Sequence, residues 1–273
     1  MRQLPPKLTN DEIIKMRIAG QLASEVLDYI TPFVKSGVST FELNELCHNY
    51  IVDVQQAIPA PLNYQPSAQH SPYPASICTS VNEVVCHGVP SRAQVLKAGD
   101  ILNIDVTVIK DGYHGDTSRM FLIGENNQLS EKAKKLCKIT YECMWKGIEQ
   151  VRPGAYLGDI GYAIETYAKS FGYGVVEDYC GHGVGKLFHT EPQVLHVGQP
   201  NTGMQLFEGM AFTIEPMINV GGKQSRVMPD NWTVKTKDKS LSAQWEHTIL
   251  VTSNGYEVLT KSLGSPQPPS FIN

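Results

Sequence analysis

Apolar side chains return every three or four positions from Ile13 through Ile14, Ile18, Leu22 and Val26 to Leu27. That spacing predicts an amphipathic helix. Thr9 or Asn10 caps it, with Asp11 and Glu12 in its first turn, and Thr31-Pro32 and Ser36-Gly37 end it. Ser39 with Glu42 three residues on forms a capping box for a second helix to about Val54. Residues 57–75 are rich in Pro, Ala, Gln and Ser and read as a loop. A strand over 76–86 is interrupted at Val81-Asn82-Glu83. Ser130 caps a long helix whose apolar side runs from Ala133 to Ile148 before Arg152-Pro153-Gly154, and a fourth helix spans about 159–171. Strands are expected near 174–179, 210–215, 232–236 and 245–251.

The most informative stretch is 101–121, ILNIDVTVIKDGYHGDTSRMF. Asp111-Gly112 between two β-prone runs is a hairpin signal. With an even-numbered turn, Thr107 faces Asp116, and Asp105 shares their face because side chains alternate. The two carboxylates are then diagonal neighbours, roughly 7–8 Å apart at the backbone. Like charges on a half-buried face need a cation or a shared proton. A bulge at Gly115 would break the register, and acids that simply face water remain the alternative.

A faint repeat adds an architectural hint. Val34-x-x-Gly37-x4-Glu42-Leu43 matches Val151-x-x-Gly154-x4-Asp159-Ile160, and both copies sit between two helices that precede strands. Each half reads helix, helix, sheet, giving an α+β chain with a pseudo-twofold axis. We expect one domain over 1–273, with halves at about 9–124 and 129–255 and a mobile tail over about 262–273.

Composition narrows the function classes. The net charge of −4 gives no basic footprint for DNA. The six cysteines form no CxxC pair and read as reduced thiols of a cytoplasmic protein. No signal-peptide core and no run of membrane-spanning length is present.

Three further segments carry polar groups where a core would be apolar: Cys180-Gly181-His182-Gly183, Phe212-Thr213-Ile214-Glu215-Pro216 and Gln244-Trp245-Glu246-His247. A histidine among glycines also reads as a turn, and an acid at a strand mouth also reads as a wet sheet edge. Together, Asp105, Asp116, His182, Glu215 and Glu246 are a hard-to-borderline ligand set suited to Mn(II), Fe(II), Co(II) or Zn(II). Two divalent ions sharing carboxylates balance four acids better than one, and paired sites lower the pKa of trapped water to around 7.

At this point the chain resembles the type I methionine aminopeptidases, members of the pita-bread metallopeptidases, over about residues 9–252. The resemblance is carried by VNEVVCHGVP (81–90), the 101–121 stretch, GHGVGKLFHTEP, FTIEPMI (212–218) and SAQWEHTIL (242–250). It implies a pseudo-twofold fold with a central antiparallel sheet flanked by helices. It implies that Asp105 chelates one ion, that Asp116 and Glu246 bridge, and that His182 and Glu215 complete the other. Co, Mn, Fe(II), Zn or Ni are the metals to consider. By the same resemblance Glu215 moves a proton, His189 stabilises the tetrahedral intermediate, and His87 hydrogen-bonds the scissile amide nitrogen. Tyr73, Cys78, Phe188 and Trp232 would line the methionine slot. Asn82, Val84 and Ser242 would hold a structural Na or K ion through backbone oxygens. Ser67 and His70 depart from the Cys and Tyr of the familiar bacterial pattern, at the outer wall of that slot.

The stretch between Glu215 and Glu246 leaves no room for the helical subdomain of type II relatives, and no extra N-terminal domain of prolidase type is expected. The implied activity is removal of initiator methionine before a small second residue. The partner is a nascent polypeptide N-terminus, with a transient ribosome contact compatible and a monomer expected. The rival readings are a related X-Pro peptidase and a non-catalytic binding relative.

Overall fold

The structure is a computed structural model that describes residues 5–68, 70–262 and 270–272. Its helices are α1 (Asn10–Ile30), α2 (Thr40–Asn49), α3 (Glu131–Ile148) and α4 (Leu157–Ser170). The strands of the first half are β1 (Ile58–Pro59), β2 (Cys78–Val81), β3 (Val84–Cys86), β4 (Ile101–Lys110) and β5 (Tyr113–Leu122). Next come β6 (Gly174–Val175), β7 (Gly181–Gly183), β8 (Thr190–Val194), β9 (Ala211–Ile214) and β10 (Met217–Asn219). The last are β11 (Ser225–Val227), β12 (Val234–Thr236), β13 (Ser242–Gln244), β14 (His247–Val251) and β15 (Tyr256–Val258).

The caps form as their side chains dictate. Thr9 and Glu12 make a capping box on α1, and Ser39 and Glu42 make one on α2. Ser130 accepts from the Ala133 N–H at the start of α3. Asp111 and Gly112 both take positive φ, 50° and 79°, as a two-residue primed turn requires. The hairpin register is regular through Gly115 and pairs Thr107 with Asp116 and Asp105 with Ser118.

Which face of α1 is buried differs from the apolar spacing. Ile14 and Ile18 are 52% and 42% exposed, while Met16, Ala19, Ala23, Leu27 and Ile30 are buried. The cause is close approach. A Cβ on Gly115 of β5 would stand 2.2 Å from the Ala19 carbonyl carbon, so small residues, not large ones, make this seam. Gly115→Ala should therefore cost about 1–3 kcal/mol by overpacking, read as a lowered melting temperature; an unchanged one would contradict the close contact.

Strand pairs are antiparallel throughout the described residues, but the expected central sheet is broken into four pieces of four, three, three and five strands. Among the described residues, the two larger pieces meet at one bridge, Ser118 with Glu246. Thr117 Oγ1 donates to the Glu246 carbonyl at 2.7 Å, and Thr248 Oγ1 to the Asp116 carbonyl at 2.8 Å. One apolar core lies between α1, α2 and the hairpin; the larger one lies beneath α3 and α4.

The repeat has a structural counterpart. Gly37 and Gly154 take φ of 91° and 88°. Their N–H groups donate to Leu96 and Leu206 carbonyls, each at 2.9 Å, and Leu96 and Leu206 donate back to Val38 and Ala155. Asp105 and Glu215 stand at the same offset from Leu96 and Leu206.

Several expectations need correction. The strand near 174–179 shrinks to two residues, and β1 occupies the stretch that composition reads as loop. His182, also readable as a turn residue, sits in β7. Of the stretch from 262, Ser262 donates to Asp28, and the Phe271 ring lies 6.0 Å from that of Trp245. Residues 263–269 and 273 lie outside the described residues. No helix among the described residues is long and apolar enough to cross a membrane.

Candidate metal centre

The hairpin carries two of the acids on one face. Thr107 Oγ1 donates to Asp116 Oδ1 at 2.6 Å, the cross-strand contact that the register demands. Glu246 occupies the gap between β13 and β14. Its bridge to Ser118 turns it inward, so it is 2% exposed and not a wet sheet edge. His182 comes from β7, where its backbone N–H donates to Thr213 Oγ1 at 3.0 Å. Glu215 follows β9 and receives hydrogen bonds from Thr213 Oγ1 at 2.6 Å and Gln244 Nε2 at 3.1 Å.

Ligand-type atoms of Asp116, His182 and Glu246 all lie within 4.8 Å of one another. His182 Nε2 is 3.5 Å from Asp116 Oδ2 and 3.6 Å from Glu215 Oε1. Its Nδ1 lies 3.1 Å from the Gly183 carbonyl, an acceptor, so Nδ1 holds the proton and Nε2 presents a lone pair. Burial lowers His182 to about 4, so these contacts are not ion pairs near neutral pH. Acceptors thus face acceptors, and a proton or a cation must lie between them.

The carboxylates point the same way. Burial raises Asp105 to about 7. Burial, then the Asp105 charge, raises Asp116 well above the usual range. Burial raises Glu215, and burial followed by the Asp116 charge raises Glu246. Four desolvated acids with a neutral imidazole are what divalent cations stabilise, and oxygen and nitrogen donors suit the borderline metals. The donor set fits such ions. Asp105 is tied to the group by the hairpin register and by its charge, which raises Asp116, and it stands outside the tightest trio.

These acids lie in a cavity of about 440 Å³ that Tyr73, Cys78, Phe188, Trp232, His87 and His189 also line. Trp232 meets Tyr73 edge-on at 5.1 Å, and its Nε1 donates to the Ser71 carbonyl at 3.1 Å. Tyr73 OH donates to the Gly88 carbonyl at 3.0 Å, and Cys78 pairs with Asp105 across β2 and β4. Phe188 stacks on His189 at 4.1 Å, and the His189 ring lies 4.2 Å from that of His182. His87 takes φ of 54° after β3 and packs against Tyr179 at 5.5 Å, and burial lowers it to about 4. Ser67 Oγ lies 2.8 Å from His70 Nδ1, and the His70 ring is 6.0 Å from Trp232. These two departures therefore stand beside Trp232.

Asn82 and Ser242 also meet: the Ser242 N–H donates to the Asn82 carbonyl at 2.9 Å. The Asn82 side chain is engaged with Asp100 and the Ile101 N–H. Val84 begins β3 just after the Asn82 turn.

Sequence reasoning missed Thr213, Gln244, Tyr64, Tyr179 and His196. Thr213 and Gln244 each precede an acid by two residues, and that alternation was the available signal for Thr213 on β9. Tyr64 packs on both Phe188 and His189 at 5.0 Å. Nothing in the local pattern marks His196, which reaches Glu215 from beyond β8.

Comparison with known proteins identifies the family. The description "Metallopeptidase family M24" matches residues 14–253. The chain is 55% identical over 252 residues to a methionine aminopeptidase of Escherichia coli K12, covering 92% of each. It is 56% identical to that of Rickettsia prowazekii, covering 93% of this chain and 94% of the relative. The crystal structure of the Rickettsia prowazekii enzyme superposes with a TM-score of 0.89 at 54% identity, covering 94% of this chain and all of that one. Prolidase from Pyrococcus furiosus, at 23% identity and a TM-score of 0.71, shares the fold alone. The fold is thus the α+β pita-bread arrangement, and with a family match over most of its length the chain belongs to metallopeptidase family M24.

Proposed function

We propose that this chain is a metal-dependent methionyl aminopeptidase that removes initiator methionine from polypeptides whose second residue is small. The observation that carries this reading is the cluster of desolvated acids and a lone-pair imidazole on the wall of an apolar, aromatic-rimmed cavity. Asp105, Asp116, His182, Glu215 and Glu246 would hold two divalent ions. Such ions, when bound, supply positive charge to polarise a peptide carbonyl and to acidify water.

The protein's own groups do the rest. Tyr73, Cys78, Phe188 and Trp232 form the slot for an unbranched thioether, which gains from aromatic edges. Glu215 takes the proton of the attacking water and delivers it to the leaving amine. Its hydrogen bonds from Thr213 and Gln244 aim the carboxylate. His189 donates to the developing oxyanion and His87 to the scissile nitrogen, each a positioned donor worth a few kcal/mol. Asn82, Val84 and Ser242 would hold a structural monovalent cation through their backbone oxygens.

We read the chain as one catalytic domain acting as a monomer in the cytoplasm on nascent N-termini, a setting that fits its free, mostly buried thiols.

The test is a competition between Met-Ala-Ser and Ala-Pro peptides. Met-Ala-Ser should be cleaved faster, activity should vanish on chelation, and it should return as Co, Mn, Fe(II), Zn or Ni is added singly. Faster Ala-Pro cleavage, or turnover that survives chelation, would reject the reading.

A further inference from the structure

The main chain at Glu215 leaves the sheet just where its side chain is needed. Ile214 is the last residue of β9 paired to β14, opposite His247, and Pro216 follows. The Glu215 N–H therefore has no strand carbonyl to meet. It donates instead to Nε2 of His196, at 3.2 Å. His196 is 1% exposed and lies just beyond the end of β8.

Because Nε2 accepts, the imidazole proton falls to Nδ1, which is buried and has no hydrogen-bond partner among the described residues. A neutral ring suits the place: a carboxylate acceptor would add another negative charge beside four desolvated acids. The same Glu215 has its side chain gripped by Thr213 and Gln244. Backbone and carboxylate are thus held from opposite ends, and the backbone hold is a single side-chain acceptor.

We infer that His196 is a positioning residue for Glu215: by accepting the Glu215 N–H at the frayed strand end, it sets where that carboxylate stands against His182 Nε2. This rests on reading Glu215 as the ligand that transfers the proton.

Two variants separate positioning from packing. His196→Gln can offer Oε1 where Nε2 stands, whereas His196→Phe keeps a flat ring without an acceptor. Well below their melting temperatures, His196→Phe should lose about 10–100-fold in kcat on Met-Ala-Ser. KM should stay close to that of wild type, and His196→Gln should recover most of the loss. Calorimetric titration of the metal-free proteins with Mn(II) should show weakened binding for Phe and near-normal binding for Gln.

Nitrogen-15 spectra of the wild-type imidazole should report the Nδ1–H tautomer near neutral pH. An Nε2–H tautomer overturns the inference even if His196→Phe does not fold. So does wild-type kcat and Mn(II) affinity in His196→Phe, or a Gln variant as impaired as Phe. Should wild type fail to cleave Met-Ala-Ser, the functional reading falls, while the tautomer and Mn(II) titrations still decide the role of His196.

Discussion

Glu215→Gln lowers kcat on a methionyl peptide by about 10²–10⁴-fold, the range for losing a positioned acid–base group, while the protein stays folded. The carboxylate is lost but its shape is kept. Thr213 Oγ1 can still donate to the amide oxygen as it does to Oε1. Gln244 now donates to Oε2, and its own buried Oε1 lacks a partner among the described residues. A flip of Gln244 would present that oxygen to the new amide, so the swap adds no unpaired group. Removing a buried acid whose charged form is disfavoured should leave the melting temperature level or higher in the metal-free protein. Steady-state kinetics and calorimetry on the same preparation check both halves. Turnover like that of wild type would remove Glu215 from the chemistry.

The metal-free protein should lose stability as pH rises, the reverse of the usual carboxylate behaviour. Burial raises Asp105 from 3.8 to about 7 in the folded state. Below the unfolded value the group is protonated in both states and contributes nothing. Between about 4 and 7 the unfolded chain gives up its proton first, so the folded state binds more protons and stability falls with pH. Above about 7 the loss levels off. Its size is on the order of a few kcal/mol, and Asp116, Glu215 and Glu246 are displaced in the same direction.

Divalent ions should cancel this effect, because they bind the ionised acids and release protons that shrink in number as pH rises. Melting curves of chelated protein from about pH 5 to 8, with and without Mn(II), test it. A chelated protein whose stability climbs across that range would contradict buried, uncompensated acids. Glu12 behaves oppositely. The Thr9 N–H, then Lys186, lowers it from 4.5 to about 2, so its contribution is present above 4.5 and fades only in stronger acid.

Short-range geometry made much of this legible in the chain. The capping pairs Thr9 with Glu12 and Ser39 with Glu42 act within one turn, and they form as written. Asp111-Gly112 sets an even-numbered turn, and from it the pairing of Thr107 with Asp116 follows residue by residue. Gly37 and Gly154 needed the left-handed region at matching places, which is why a weak repeat marked a twofold arrangement.

Other features depended on what packs against what. Ile14 and Ile18 have helical spacing yet face outward, because Gly115 draws the small side of α1 onto the hairpin. Glu246 could have stood in water; Thr117 and Thr248, from opposite halves, tie its strand to that of Asp116 and bury it. His196 carries no local mark, since its meaning lies in a hydrogen bond to a backbone group nineteen residues away. The local chain determined its turns, caps and the faces of its hairpin, because those depend on neighbours within a few bonds. Only the tertiary structure decided which acids lose water and which imidazole meets them, because desolvation is set by every segment that closes over a site.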